Sequence, residues 1–457
     1  MDGETLPGSM LAGLEALGAA LLDVARAHPN GTLATLEAAV LEQVRAAQGG
    51  LLEGVVARAT GSLAPSQQRV RQACPRCGRR ARVRDWRPRT VRTACGPVHP
   101  ERPWYRCGAG RPGWSPTDAT LGLAPRARLS RGLQRRVGEV GLETASRQGG
   151  RRLATLSGQE VSRGTIRRHT ERQGQAVAAA PEQAAATVRR SREAAEPVEA
   201  APGRLPVETD GAMVRYLDDW HEVKLGLVAG LVDGRLTAPS HVASRASAEA
   251  FGPLLLAAAA RRGAPAIIRR EGGGVGRGLA MLRAVAIPGD GAVWIWNLAG
   301  EHFGERVEIV DCVHACEHLS TVAKLVFAER AAQEAWAAAR RRERYEQGAA
   351  PVLAALQTVR ALTPEGVPPL QTERGYFRKN ADRMAYPRFL ARGLPIGSGA
   401  IESAAKHLIQ QRMKRAGMRR SLDGGQAMAA GLAHHASCRP LPEAAFLPPR
   451  RQQRPAA

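Results

Sequence analysis

Apolar residues recur at helical spacing through the first part of the chain: Leu11, Leu14, Leu17, Leu21 and Leu22, then Leu33, Leu36, Val40 and Val44. Pro29-Asn30-Gly31 interrupts the run, so the pattern predicts a helical hairpin within residues 1–64. A second helical stretch covers 126–175. Within it an apolar helix ending near Gly158 and a second helix opened by Ser162 predict a helix-turn-helix-like pair, with Arg163, Arg167 and Arg168 on the second helix. An ordinary helical hairpin with an Arg-rich solvent face has the same pattern. Residues 176–204 are rich in Ala, Glu and Pro, carry little large apolar content, and read as a linker that is helical in part.

Beyond the linker the period changes from helical to alternating. Leu205 to Thr209 reads as a strand ending at Asp210-Gly211, Ala212 to Leu217 as a second, and Glu222 to Val232 as a third after the turn at Asp218-Asp219. Asp233-Gly234 turns the chain again, and Leu236 to Ala243 closes the ribbon. A helix (Ala248 to Arg262), a strand (Leu282 to Ile287), a helix (Val293 to Phe303) and a strand (Arg306 to Val310) follow. From Asp311 one long helical region is expected to Gln347, and Gly397-Ser-Gly399 opens a last helix, Ala400 to Met413. This is α/β order. It matches a ribonuclease H-like catalytic core over 205–430 with a helical insertion at about 315–390. Residues 431–457, Pro- and Arg-rich toward the end, are expected to be a disordered tail. The Gly-rich segment from Glu271 to Gly278 lacks the Gly-Lys-Ser/Thr ending of a phosphate loop and reads as a connector.

Charge then names a partner class. Of 66 basic residues 61 are arginines, against 42 acids, for a net charge of +24 on a chain of 457 residues that is 44% hydrophobic. Such a chain can build cores, and its guanidinium groups suit a polyanion such as double-stranded DNA. GC-rich coding also favours arginine, so placement matters more than number. Residues 65–125 hold the densest excess, and a second run (Lys406, Arg412, Lys414, Arg415, Arg419 and Arg420) contains no acid between Ser403 and Leu422. No stretch suits a secretory leader or a membrane span, so a cytoplasmic, nucleoid-associated protein is expected.

Against that background a few acids stand out. Asp210 ends the first strand, Asp290 follows the strand after the first helix, and Glu402 lies in the first turn of a late helix. In this topology the three can converge, and hard carboxylate oxygens suit two Mg²⁺ or Mn²⁺ ions acting on phosphodiesters. Asp311 also ends a strand, but it ends the fifth rather than the fourth. It is therefore assigned with His314 as support for the site, and Lys406, one turn beyond Glu402, as a phosphate contact. Arg412, Lys414 and Arg415 are the expected DNA contacts that continue from it. Cys312, His314, Cys316 and His318 pair four apart on one helix face, but burial explains them better than zinc does.

Cys74-Pro-Arg-Cys77 has zinc-knuckle spacing, and a tetrahedral site needs two more ligands. Cys107 and either Cys95 or His99 can supply them. Position 110, where a second Cys-x-x-Cys would end, is Gly110. The candidate Zn²⁺ set is therefore Cys74, Cys77, Cys95 and Cys107.

The block Gly397-Ser-Gly-Ala-Ile-Glu402-Ser-Ala-Ala-Lys-His-Leu-Ile-Gln-Gln-Arg412-Met-Lys-Arg-Ala-Gly-Met resembles the C-terminal signature of ISKra-type insertion-sequence transposases, of the DDE class. Asp290-Gly-Ala-Val-Trp-Ile-Trp-Asn-Leu-Ala, Val310-Asp-Cys-Val-His314-Ala-Cys-Glu-His318-Leu and Trp220-His-Glu-Val-Lys-Leu-Gly are also similar. The resemblance covers roughly residues 10–430 and implies metal-dependent cleavage at element ends followed by strand transfer into target DNA. It implies a homo-oligomer on DNA, with Asp210, Asp290 and Glu402 as catalytic residues. Arg420 stands where the family usually has an aromatic residue. The alternatives are a non-catalytic DNA-binding regulator or an inactive transposase derivative, and a nuclease on the same fold.

Overall fold

The structure is a computed structural model and describes residues 8–60, 71–108, 113–190, 204–262, 267–269, 275–277 and 284–447. Two compact units result, Met1–Gln173 with Glu443–Ala457, and Gly174–Pro442.

The first unit opens with the expected hairpin, α1 (Gly8–Ala27) and α2 (Leu33–Ala59), where Thr32 caps α2 by accepting the Thr35 N–H. The basic module follows as three small antiparallel ribbons. β1 (Gln72–Ala73) pairs with β2 (Arg80–Ala81), β3 (Val83–Pro88) with β6 (Glu101–Tyr105), and β4 (Val91–Thr93) with β5 (Gly96–Val98). After a short α3 (Pro116–Thr120) come α4 (Arg131–Glu143), α5 (Ser146–Ser157) and α6 (Arg163–Arg190). Gly158 ends α5 in the left-handed region at φ 67°, and the Ser162 hydroxyl accepts the Thr165 N–H at the start of α6. Leu133, Val137, Leu153, Val161 and Ile166 form the small core beneath this turn. The stretch from 176 to Arg190 is the helical part of the expected linker and continues α6, since Ala, Gln and Glu are all good helix formers. The rest of the expected linker, up to 203, lies outside the described residues.

The second unit is built on a mixed five-stranded sheet. β7 (Arg204–Arg215), β8 (Trp220–Val232) and β9 (Arg235–Ser244) form an antiparallel meander, turned at Asp233-Gly234 with φ of 47° and 74°. After α7 (Ala248–Ala260) and the ribbon β10 (Ile267–Arg269) with β11 (Val275–Arg277), β12 (Ala284–Gly289) returns parallel to β7. α8 (Val293–His302) then leads to β13 (Arg306–Val310), parallel to β12, and the spatial order is β13-β12-β7-β8-β9. Leu205, Val207, Phe251, Leu255, Val285, Ile287 and Ile309 fill the core between sheet and helices. Burying each such side chain is worth about 1.5–3 kcal/mol.

Five helices follow: α9 (Cys312–Val326), α10 (Arg330–Gln347), α11 (Ala349–Thr358), α12 (Val367–Lys379) and α13 (Tyr386–Ala391). The chain then returns through α14 (Gly399–Ala404), a π turn (Ala405–Gln410), α15 (Gln411–Met413) and α16 (Leu422–Ala436). The long region after Asp311 is thus two helices, broken at Phe327.

Two further expectations are corrected. Asp210-Gly211 is no turn: β7 runs straight through it, with Gly211 opposite Lys224, so two expected strands are one. A Cβ there would lie 2.1 Å from Glu222 Oε1, the tip of a flexible side chain that would have to move aside. Nor does a disordered tail begin at 431. α16 continues to Ala436 against β9, and Ala445 and Phe446 are buried. Gly425 permits the packing, because a Cβ on it would meet the Tyr216 ring at 2.1 Å.

Candidate functional site

Carboxylates gather where β7, β12 and β13 meet α14. Asp210 lies on β7, Asp290 directly follows β12, and Asp311 directly follows β13. Glu402 stands in the first turn of α14, half-buried. Burial pushes Asp210 above the usual carboxylate range, and the charges of Asp290 and Glu402 push it further. The Gly211 N–H, at 2.7 Å from Oδ1, and His314 oppose the shift. Asp290, Glu402 and His314 are therefore Asp210's electrostatic neighbours. His314 Nε2 lies 3.7 Å from Glu402 Oε1, and the Ser398 hydroxyl oxygen is 3.4 Å from the same atom.

One member went unseen in the sequence. Glu208, 1% exposed, sits two residues before Asp210 and thus on the same side of β7. It accepts the Ile401 N–H at 2.9 Å, which ties β7 to the first turn of α14. Burial pushes its carboxyl up to about 7 against that hydrogen bond, helped by the charges of Asp311 and Glu402. The i, i+2 spacing of two acids in an otherwise apolar strand was the available signal.

Asp311 and Asp290 differ in kind. Asp311 is buried, and both its oxygens accept hydrogen bonds: Oδ1 from the Val313 and His314 N–H groups, Oδ2 from the N–H and hydroxyl of Ser398. Asp290 is exposed and uses Oδ1 to accept the Ala292 N–H at 2.8 Å, just ahead of α8. Tyr376 holds the Asp290 carbonyl through its hydroxyl at 2.9 Å and stacks on His318, which pairs with Glu373 at 2.7 Å. The neighbouring carboxylates thus raise the proton affinity of Asp210 and Glu208, and one of those neighbours, Asp290, is open to solvent. Asp210, Asp290 and Glu402 do not close into a compact ligand set in this structure. Among the described residues, the one group of three ligand atoms all within 4.8 Å of one another is made of thiols.

That group is Cys74, Cys77 and Cys107, and it can bind a metal such as zinc. Cys77 Sγ and Cys107 Sγ are 3.4 Å apart, and Cys74 and Cys107 are buried. The Cys74-Pro-Arg-Cys77 turn closes through Gly78 N–H to the Cys74 carbonyl, with Gly78 at φ 71°. The Arg76 N–H, followed by that of Cys77, holds the Cys74 thiol below its usual range despite partial desolvation. Cys95 is not a member. It sits in the β4–β5 turn, where its N–H donates to Thr93 Oγ1 at 3.0 Å. His99 is occupied by Glu53 at 3.1 Å, and Gly110 lies outside the described residues.

The expected basic contacts divide. Arg163, Arg167 and Arg168 are exposed on α6, and Lys406, Lys414 and Arg415 are exposed after Glu402. Arg412 is buried, and desolvation lowers its guanidinium to about 10, with Arg420 and Arg415 adding to the effect. It packs inside the fold instead of facing a phosphate.

No protein-family model matches the chain, and no curated protein matches it. Among the described residues, no helix is long and apolar enough to cross a membrane.

Proposed function

We propose that the protein is a DNA transposase of the DDE class, acting in the cytoplasm on the terminal repeats of an insertion sequence and on target DNA. The observation that carries this reading is the gathering of Asp210, Asp290 and Glu402 within electrostatic reach of one another in a chain of net charge +24. A DNA binder without chemistry has no use for mutually repelling acids beside its basic surface. The order β13-β12-β7-β8-β9, with an antiparallel meander joined to two parallel strands, supports a ribonuclease H-like core.

Asp210, Asp290 and Glu402 are the donors that would hold Mg²⁺ or Mn²⁺. Bound ions of this kind activate a water or a 3′-hydroxyl and stabilise the leaving oxygen in phosphodiester transfer. The remaining roles belong to the chain itself. His314 orients Glu402 from α9, Glu208 and Ser398 fix the start of α14, and Lys406, Lys414 and Arg415 offer charge to the DNA backbone. Arg163, Arg167 and Arg168 on the helix-turn-helix-like pair are the proposed end-recognition contacts. The three-thiol cluster gives the basic module a metal-held turn. Two element ends must meet for strand transfer, so a homo-oligomer on DNA is the working form.

The test uses a DNA fragment bearing the element's ends, Mg²⁺, and the protein beside its Glu402→Ala variant. Cleavage and joined product with the parent chain but not with the variant are expected. Equal products from both would remove the assignment, and none from either would leave the DNA-binding derivative as the better reading.

A further inference from the structure

Arg344, on α10, is completely buried. Its Nη2 donates to the Cys312 carbonyl at 2.8 Å and contacts Cys312 Sγ at 3.3 Å and Cys316 Sγ at 3.0 Å. The guanidinium lies 4.9 Å over the Tyr386 ring, with Nη1 3.5 Å from its hydroxyl. No carboxylate among the described residues is within ion-pair distance of it. A guanidinium does not surrender its proton, and a buried charge without an opposite charge is strongly disfavoured. The acidic groups that touch Arg344 are therefore the ones placed to supply an anion in contact with it.

The candidates are two thiols and a phenol. Tyr386 donates its hydroxyl to the Val310 carbonyl at 3.0 Å, and burial drives its proton affinity up, so it stays neutral. Cys312 and Cys316 are neighbours at i and i+4 on α9, and of the two sulfurs Cys316 Sγ lies nearer Arg344 Nη2, at 3.0 Å against 3.3 Å. Interaction with the neighbouring sulfur raises Cys312, as does burial, while the same interaction lowers Cys316 to about 6 with help from Arg344 and Arg341. The charged and titratable groups facing the pair are Arg341 and Arg344 from α10, Asp311 at the start of α9 and Tyr386 from α13.

We propose that Cys316 is a thiolate serving as the counter-ion of Arg344, and that it is a site of modification by soft electrophiles, hydroperoxides among them. The sulfur is half-buried rather than sealed. With hydrogen peroxide the thiolate attacks one oxygen. The S–O bond forms as the O–O bond breaks, hydroxide leaves with the bonding pair, and sulfur is oxidised by two electrons to a neutral sulfenic acid. Arg344 then loses its anion while still bonded to the Cys312 carbonyl in the first turn of α9. That turn also carries the Asp311 cap and His314, so modification reaches the carboxylate site. This last consequence rests on the function proposed above, but the reactivity itself does not.

The experiment reads chemistry at sulfur rather than DNA cleavage. The full chain, with one equivalent of zinc to occupy the three-thiol cluster, is alkylated with iodoacetamide across pH 5.5 to 9, and each cysteine is followed by peptide mass spectrometry. Cys316 is expected to reach its plateau rate by pH 7.5, below the midpoint of about 8.5 of an ordinary thiol. Arg344→Gln is expected to raise the Cys316 midpoint by more than one pH unit, and Arg344→Lys by less. Hydrogen peroxide with dimedone as a sulfenic-acid trap should label Cys316. A Cys316 midpoint at or above about 8.5 in the unaltered chain overturns the proposal, whether or not the Arg344 variants fold. Failure of Cys316 to react with either reagent while exposed Cys438 is alkylated overturns it as well.

Discussion

Ser398 donates both its backbone N–H and its hydroxyl to one carboxylate oxygen of Asp311, the hydroxyl at 2.8 Å. The other oxygen caps α9 through the N–H groups of Val313 and His314, at 2.6 and 2.9 Å. One buried side chain therefore joins the helix that carries His314 to the segment that launches Glu402. With both oxygens engaged, Asp311 acts as a latch, and Asp290 is the better placed cation donor.

Replacing Asp311 with alanine strands four donors in a buried place. The expected loss of folding stability is about 3–5 kcal/mol, as when one partner of a buried charged network is removed. Urea denaturation measures it, and a change below about 1 kcal/mol would show that the latch is slack. Asp290→Asn, at an exposed position, should leave the urea midpoint nearly unchanged and instead weaken Mn²⁺ binding.

Glu208 makes stability depend on pH in the opposite sense to an ordinary paired carboxylate. Below the unfolded value of 4.5 both states are protonated and the group is silent. As pH rises toward the folded value of about 7, the unfolded chain ionises while the folded one keeps its proton, so stability falls. The metal-free protein should lose roughly 3 kcal/mol from this group between pH 4.5 and 7.5. Thermal melts across that window check it. Glu208→Gln should flatten the slope, and an unchanged slope in that variant would assign the pH dependence to other groups.

The sequence was most legible where a residue's type left few choices. Strands read from alternation recur in the sheet, and Asp290 and Glu402 stand at element ends, where punctuation by Gly and Ser is strong. The misreadings share one cause: local chemistry was overruled by a distant neighbour. Asp210-Gly211 has turn composition, but the ladder to β8 runs unbroken through it, with Asp210 opposite Leu225 and Gly211 opposite Lys224. Arg412 belongs to a basic run, but the π turn before it points it inward. Residues 431–436 read as the start of a disordered tail, but α16 carries them on against β9, and the small Gly425 lets the helix meet the Tyr216 ring. Glu208 carries no local signature of its role, because its partner is the Ile401 N–H, 193 residues further along the chain.

Metal content should separate Cys95 from the other module cysteines. Cys95→Ser is expected to keep one zinc per chain, while Cys77→Ser or Cys107→Ser loses it or binds at least tenfold more weakly. Zinc quantification after gel filtration, with thermal melts of the full chain, reads both. Loss of zinc from the Cys95 variant would bring that residue back into the ligand set.

The two ends of the late basic run should behave differently. Lys414→Ala with Arg415→Ala is expected to leave the fold intact, weaken DNA binding, and lower the slope of log affinity against log salt by about two. Arg412→Ala should lower thermal stability by about 1–3 kcal/mol through lost packing and hydrogen bonding. A full salt-slope change of one unit from Arg412→Ala, with no loss of stability, would make it a phosphate contact after all.

The π turn from Ala405 to Gln410 holds one residue more than α-helical winding would. Each residue turns an α-helix by about 100°, so the extra one decouples the bearing of Glu402 from that of Met413. The two halves of what the chain treats as one helix can thus answer to separate surfaces, the upper half to the carboxylates and the lower to the core. Such a residue is an insertion that a lineage can gain or lose in one step. Its loss would swing the whole basic run round the axis while leaving every acid where it was.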